Sequence, residues 1–117
     1  MRVVKQRDKT WVPCPGYSKK ILLTENELKS KGNLIQIVKV KPGKEIKSHY
    51  HKKTKEIYYV LEGRGIIWVN DYRSRCKPGD VILCEPKDKH GAINDTEEYL
   101  VWLVFKIDAT KNDTFWE

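Results

Sequence analysis

The sequence predicts an all-β domain, a jelly-roll barrel preceded by a short N-terminal arm. Three observations carry this. Apolar residues make up 39% of the chain and fall in short runs, without the long 3.6-residue periodicity of helices. From Leu34 onward those runs recur at even spacing. The breaks between them, at Pro42-Gly43, Gly63, Asn70-Asp71, Pro78-Gly79 and Asn94-Asp95, are the residue types that turns require. An array of short antiparallel strands must close on itself or pack as two sheets to protect its edges, and a jelly roll does the latter.

Taken in order, residues 1–33 read as the arm. Trp11-Val12-Pro13-Cys14-Pro15-Gly16 cannot continue a helix or a central strand, because each proline lacks an amide donor. A short strand at Ile21-Leu22-Leu23 leads to Thr24, which with Glu27 fits a capping box; Glu25 to Lys31 is expected to make one or two helical turns, stopped by Gly32. The barrel spans 34–108, with strands at Leu34–Val40, Ile46–His51, Ile57–Glu62, Gly65–Asn70, Tyr72–Cys76, Val81–Cys84, Gly91–Asn94 and Tyr99–Ile107. Asn70-Asp71 is the expected tight hairpin turn, and 109–117 reads as a C-terminal tail. At 117 residues the chain supports one hydrophobic core, so function sits on or inside a single domain.

Composition narrows the function. The net charge of +7 invites a nucleic-acid reading, but the lysines are spread along the chain with acidic residues between them, and no recognition-helix pattern accompanies them. A solvated basic surface is expected, with no nucleic-acid partner. No apolar run approaches the ~20 residues that cross a bilayer, and the first residues lack the apolar stretch of a signal peptide. The expected location is the cytoplasm, with no membrane partner. Cys14, Cys76 and Cys84 are odd in number and widely separated, which suits reduced thiols, Cys84 among the core residues. The glycosylation sequons at Asn94-Asp95-Thr96 and Asn112-Asp113-Thr114 matter only in a secreted chain. Core or dimer contacts are expected of Trp11, Trp68, Trp102 and Trp116.

The chain has three histidines, and two of them, His49 and His51, lie two apart in one strand, so their imidazoles share a face. Glu56 opens the next strand after Lys52-Lys53-Thr54-Lys55, and His90 begins a later one. If the sheet curls so that all four face inward, three nitrogens and one carboxylate make a competent shell for a divalent first-row metal. A lone strand histidine is more often satisfied by a hydrogen bond, so the spacing matters. Gly43, His49, His51, Glu56 and Gly63 meet every fixed position of the motif Gly-x5-His-x-His-x4-Glu-x6-Gly, and Gly79, His90 and Asn94 meet the ends of a second, Gly-x5-Pro-x-Gly-x2-His-x3-Asn. The chain resembles the cupin superfamily, in particular its small single-domain members. In the second motif Glu85 stands at the proline position, Pro86 comes one residue late and Lys87 replaces the glycine.

The resemblance implies a cupin double-stranded β-helix with a metal-centred pocket, one Fe2+, Mn2+, Zn2+ or Ni2+ ion held by His49, His51, Glu56 and His90. Alternation from an inward Glu56 turns Tyr58 and Val60 inward as pocket residues, although Tyr58 reads equally well as core. Lys52, Lys53 and Lys55 either steer anionic ligands to the entrance or only solubilise the loop. Three functions remain open: a dioxygenase-type metalloenzyme acting on an enol, phenol, diketone or thiol; a metal-dependent sugar or sugar-phosphate isomerase or epimerase; and a non-catalytic small-ligand-binding or sensor domain. A homodimer is expected, with the segment around Ile21-Leu22-Leu23 added to a sheet edge.

Overall fold

The computed structural model describes residues 1–117. After a 3-10 turn at Gln6–Asp8, the chain forms β1 (Val12–Cys14), β2 (Tyr17–Leu23), α1 (Glu25–Leu28), β3 (Leu34–Val40), β4 (Glu45–Tyr50), β5 (Lys55–Glu62) and β6 (Gly65–Val69). The remaining strands are β7 (Tyr72–Cys76), β8 (Val81–Cys84), β9 (His90–Ile93), β10 (Leu100–Ile107) and β11 (Phe115–Trp116). Two antiparallel sheets result, one of six strands in the order β1-β2-β3-β10-β5-β8 and one of five in the order β11-β4-β9-β6-β7. This is the jelly roll. No helix is long and apolar enough to cross a membrane.

Period-two alternation explains which side chains meet between the sheets. Val38 and Val40 from β3, Val60 from β5, and Leu100, Trp102 and Val104 from β10 are all nearly inaccessible and pack in one cluster with Ile46, Ile67 and Ala92 of the facing sheet. Each large aliphatic side chain so buried contributes about 1.5–3 kcal/mol. The motif glycine at 63 is required by a close approach: its φ is +77°, and a Cβ there would lie 2.1 Å from the carbonyl oxygen of Tyr99. Asn94, fully buried, ties two crossing segments together by donating to the carbonyls of Val40 (2.9 Å) and Glu98 (2.7 Å).

The N-terminal arm is integrated into the sheet. Its β1–β2 hairpin lies against β3, with Ser18 opposite Lys39 and Leu23 opposite Ile35, so Ile21–Leu23 pairs within its own chain. Pro13 is accommodated because β1 is an edge strand, where a missing donor costs no ladder bond. Thr24 and Glu27 form the capping box, but α1 lasts only to Leu28, because Lys29 turns left-handed (φ +53°) and ends it. At the hairpin between β6 and β7, Asn70 takes φ +54°. The tail contributes β11, which pairs with β4 through Phe115–Tyr50 and Trp116–His49. Of the indoles, Trp102 is in the core, while Trp11 lies under the ammonium groups of Lys20 and Lys39. Trp68 donates to Ser48 Oγ at 2.7 Å.

Candidate metal centre

Three of the four ligand candidates come from the five-stranded sheet and its loop. A β-bulge between Ile46 and His49 resets the alternation of β4, so that Ile46 and His49, three residues apart, both face inward. His51 follows at the end of the strand, and His90 on β9 stands directly opposite His49. Glu56 reaches across from β5 in the other sheet. All four residues are buried, and one donor atom from each lies within 4.8 Å of the others.

The hydrogen bonds settle how the rings are held. Nδ1 of His49 lies 2.8 Å from the carbonyl oxygen of Lys47, Nδ1 of His51 2.9 Å from that of Asp113, and Nδ1 of His90 2.9 Å from that of Asp88. A carbonyl only accepts, so each Nδ1 carries the hydrogen and the neutral ring keeps a lone pair on Nε2. Yet Nε2 of His51 and Nε2 of His90 stand 2.8 and 3.1 Å from the same carboxylate oxygen, Oε1 of Glu56. Acceptor facing acceptor at this range requires a proton or a cation between them. The donor set therefore fits a divalent metal ion on the structure's own geometry.

The ionisation behaviour agrees. Burial would push the Glu56 carboxyl up, but hydrogen bonds from His51 and His90 and the charge of Lys106 hold it well below the usual carboxylate range. Burial would lower His51 too, but its bond to Glu56 and that residue's charge leave it raised. His49 is pushed down to about 4 by burial and by the neighbouring His90. Tyr58 donates its hydroxyl to Glu56 Oε1 at 3.1 Å; burial first, then the Glu56 charge, push it well above the ordinary phenol, so it remains a neutral donor.

The tail residues around β11 belong to the site, which the sequence alone does not reveal. The Asp113 carboxylate accepts from the amides of Lys52 (2.9 Å), Lys53 (3.0 Å) and Thr54 (2.9 Å) and from the Thr54 hydroxyl (2.9 Å), fixing the loop between His51 and Glu56. Trp116 sets its ring 4.7 Å from that of His49 at the cavity mouth. The altered second motif keeps its turn: Lys87 takes the left-handed conformation of the missing glycine (φ +75°) and Asp88 accepts from the amide of Glu85, which delivers His90 to the centre.

The cavity around these groups has a volume of about 50 Å³. Since one ordered water needs roughly 10–15 Å³ on this measure, there is room for about four waters or a ligand of similar bulk. Tyr58 lines it and also packs into the core, stacked on Trp102 at 5.5 Å, so both readings of that residue hold. Val60 does not reach the cavity: the core cluster takes it, deeper along β5. Lys52, Lys53 and Lys55 are likewise absent from the lining; Lys52 lies over the Phe115 ring and Lys55 is 3.5 Å from Glu85. The lining cation is Lys106, and Gln36 and Tyr17 join it there. Strand alternation through Trp102 and Val104 was the pattern that could have found Lys106.

Comparison with known proteins agrees with this architecture. A protein of Thermotoga maritima named oxalate-binding protein is 32% identical over 73 residues, 62% of this chain and 60% of that one. An uncharacterized protein of Methanocaldococcus jannaschii is 43% identical over 42 residues, 36% of this chain and 34% of its own. The matches thus span about a third to three-fifths of these relatives' lengths. Among solved structures, a predicted oxalate decarboxylase from Thermotoga maritima superposes with a TM-score of 0.84 at 26% identity, covering 91% of this chain and 98% of that one. The polyketide cyclase RemF of Streptomyces resistomycificus shares the fold, with a TM-score of 0.83 at 21% identity over 99% of this chain and 84% of its own. The family model described as "Cupin domain" matches residues 36–106, most of both sheets and all four clustered ligand candidates. The chain belongs to the cupin family.

Proposed function

We propose that the protein holds one divalent first-row metal ion, Fe2+, Mn2+, Zn2+ or Ni2+, through His49, His51, Glu56 and His90, and acts with it on a small enol, phenol, diketone or thiol in dioxygenase-type chemistry. The observation that carries the reading is the triple Nδ1–carbonyl anchoring, which leaves three Nε2 lone pairs free, those of His51 and His90 at 2.8 and 3.1 Å from one carboxylate oxygen. Four protein ligands leave about two positions open on an octahedral ion. When bound, such an ion supplies a Lewis acid and a chelation point for an enolate, phenolate, thiolate or carboxylate. The chain's own part is to orient the ligand against Tyr58 and to keep bulk water out with Val38, Ile46, Ile67, Trp102 and Val104.

The relative named oxalate-binding protein favours a second reading, a non-catalytic binder of small carboxylates. A sugar-phosphate isomerase would have to seat a ligand larger than the roughly four waters the cavity admits, so that ligand would extend through the mouth. Metal analysis of untagged protein purified without oxygen, then oxygen uptake with small enols, phenols, thiols and carboxylates, separates the two favoured readings. Stoichiometric metal with turnover supports the enzyme; metal and ligand binding without turnover supports the binder. Full metal retention by His90→Ala would refute the centre itself.

The free Cys14, Cys76 and Cys84 suit a reducing compartment such as the cytoplasm. The outer face of β5, β8 and β10 exposes Tyr59, Leu61, Val81, Leu83 and Phe105, an apolar patch that a second copy covers in the homodimer we propose. A monomer by light scattering at micromolar concentration would count against it.

A further inference from the structure

We infer that Lys106 and Gln36 form an anion subsite facing the metal centre, which selects small dianions over monoanions of the same shape. The inference rests on the metal centre proposed above and adds to it the residues that set ligand charge.

The placement follows from the register of the six-stranded sheet. Along β10 the inward side chains are Trp102, Val104 and Lys106. Lys106 stands opposite Glu56 on one side, while Val104 stands between Tyr58 and Gln36. Lys106 and Gln36 are thus diagonal neighbours on one wall of the cavity, on the sheet facing the one that carries His49 and His90.

Neither polar group is satisfied by the protein alone. The only carboxylate near Lys106 Nζ is Oε2 of Glu56 at 3.9 Å, the edge of ion-pair range, and the other oxygen of that carboxylate already receives His51, His90 and Tyr58. Gln36 is 3% exposed and lines the cavity; none of the side-chain hydrogen bonds engages its amide, which opens on the cavity, since no fully buried polar atom lacks a partner. A buried amide of this kind takes its partner from whatever fills the cavity.

Charge then sets the class of ligand. With three neutral imidazoles, a divalent ion, the Glu56 carboxylate and the Lys106 ammonium leave two positive charges in a mostly apolar enclosure. A small dianion neutralises both, one end on the open metal positions and the other toward Lys106, with Gln36 donating a hydrogen bond. The cavity volume of about 50 Å³ suits a dianion of a few carbons, such as a short dicarboxylate. The lysines outside the cavity supply no such contact.

The test uses the zinc-loaded full chain, since zinc is redox-silent, titrated calorimetrically with oxalate and with oxamate, which share a shape and differ by one charge. Retained zinc is checked after each titration, and zinc affinity is measured by chelator competition. The expected result is that the wild type prefers oxalate by more than about tenfold. Lys106→Met brings the ratio within about threefold while zinc affinity changes less than about threefold, and Gln36→Leu weakens both ligands alike. Lys106→Gln, of similar length and still polar, repeats the measurement should the Met variant fold poorly. A preference that persists in both Lys106 variants, or zinc loss in both, overturns the inference and leaves the metal centre standing. Failure of the wild type to bind zinc, manganese or iron overturns the centre and the subsite together.

Discussion

Replacing Asp113 with alanine tests whether the C-terminal segment builds the centre or merely follows it. Asp113 is 8% exposed and receives four hydrogen bonds at 2.9 to 3.0 Å, three of them from consecutive amides. Hydrogen bonds to an ion contribute about 1.5–3 kcal/mol each, but they are not additive here. The amides of Lys52 and Lys53 belong to exposed residues and recover water in the variant, whereas Thr54 is 4% exposed and does not. A net loss of about 2–4 kcal/mol follows, seen as a lower urea midpoint at unchanged slope. The carboxyl carries a pH signature as well. Burial pushes it up, but the amides of Lys53, Lys52 and Thr54 outweigh this and hold it at about 2. A depressed carboxyl stabilises the fold above its ordinary range and loses that stability as pH falls from about 4 toward 2. The wild type should therefore lose stability over that window more steeply than Asp113→Ala. The Asp113 carbonyl that anchors His51 Nδ1 is kept in the variant, but the segment carrying it loses its tie to the 52–54 loop, so metal affinity should fall by about 10–100-fold. A loss below about 1 kcal/mol with unchanged metal affinity would refute this reasoning.

Three further outcomes are expected. Lys87→Gly should raise stability by up to about 1 kcal/mol, because exposed Lys87 holds φ +75° where glycine carries no Cβ penalty; destabilisation in thermal melts would contradict the turn geometry. Gly63→Ala should cost more than about 2 kcal/mol, since its Cβ would lie 2.1 Å from backbone that cannot yield, and a near-neutral melt would exclude that contact. Metal binding at mildly acidic pH should release protons, because the ion displaces the proton that His51, raised by its bond to Glu56, shares with that carboxylate; affinity then weakens as pH falls. Calorimetry in buffers of different ionisation heat reads that number, and zero protons released would be the contrary result.

What the sequence made legible was local or periodic. His49 and His51 lie on β4 and just past its end, Glu56 opens the next strand, and turn residues mark where strands stop, so the candidate ligands and most barrel strands are legible, the strands with boundaries within one or two residues. The β4 bulge was not legible: nothing in Ile46-Lys47-Ser48-His49 announces an extra residue, and its role emerges only when β9 pairs alongside. Asp113 escaped for a different reason, since it contacts a loop 59 to 61 residues earlier and lies in a stretch with no apolar period. Val60 shows the limit of alternation, which gives a face but not a depth: it shares Glu56's face yet falls in the core, while Lys106 on the next strand reaches the cavity.

The anchoring of His51 by Asp113 spans 62 residues, and it orders events during synthesis. The ribosome adds about 5–20 residues per second, so His49, His51 and Glu56 are out for several seconds before the segment that holds His51 in place exists. During that interval the emerging histidines are loose ligands with no preferred geometry, and any ion they catch is held weakly. The proposed centre has its full set of anchors only once β11 pairs with β4. An ion kept by the proposed centre would thus be chosen by a folded protein, and the metal supply of the compartment at that moment would help decide which chemistry the cavity acquires.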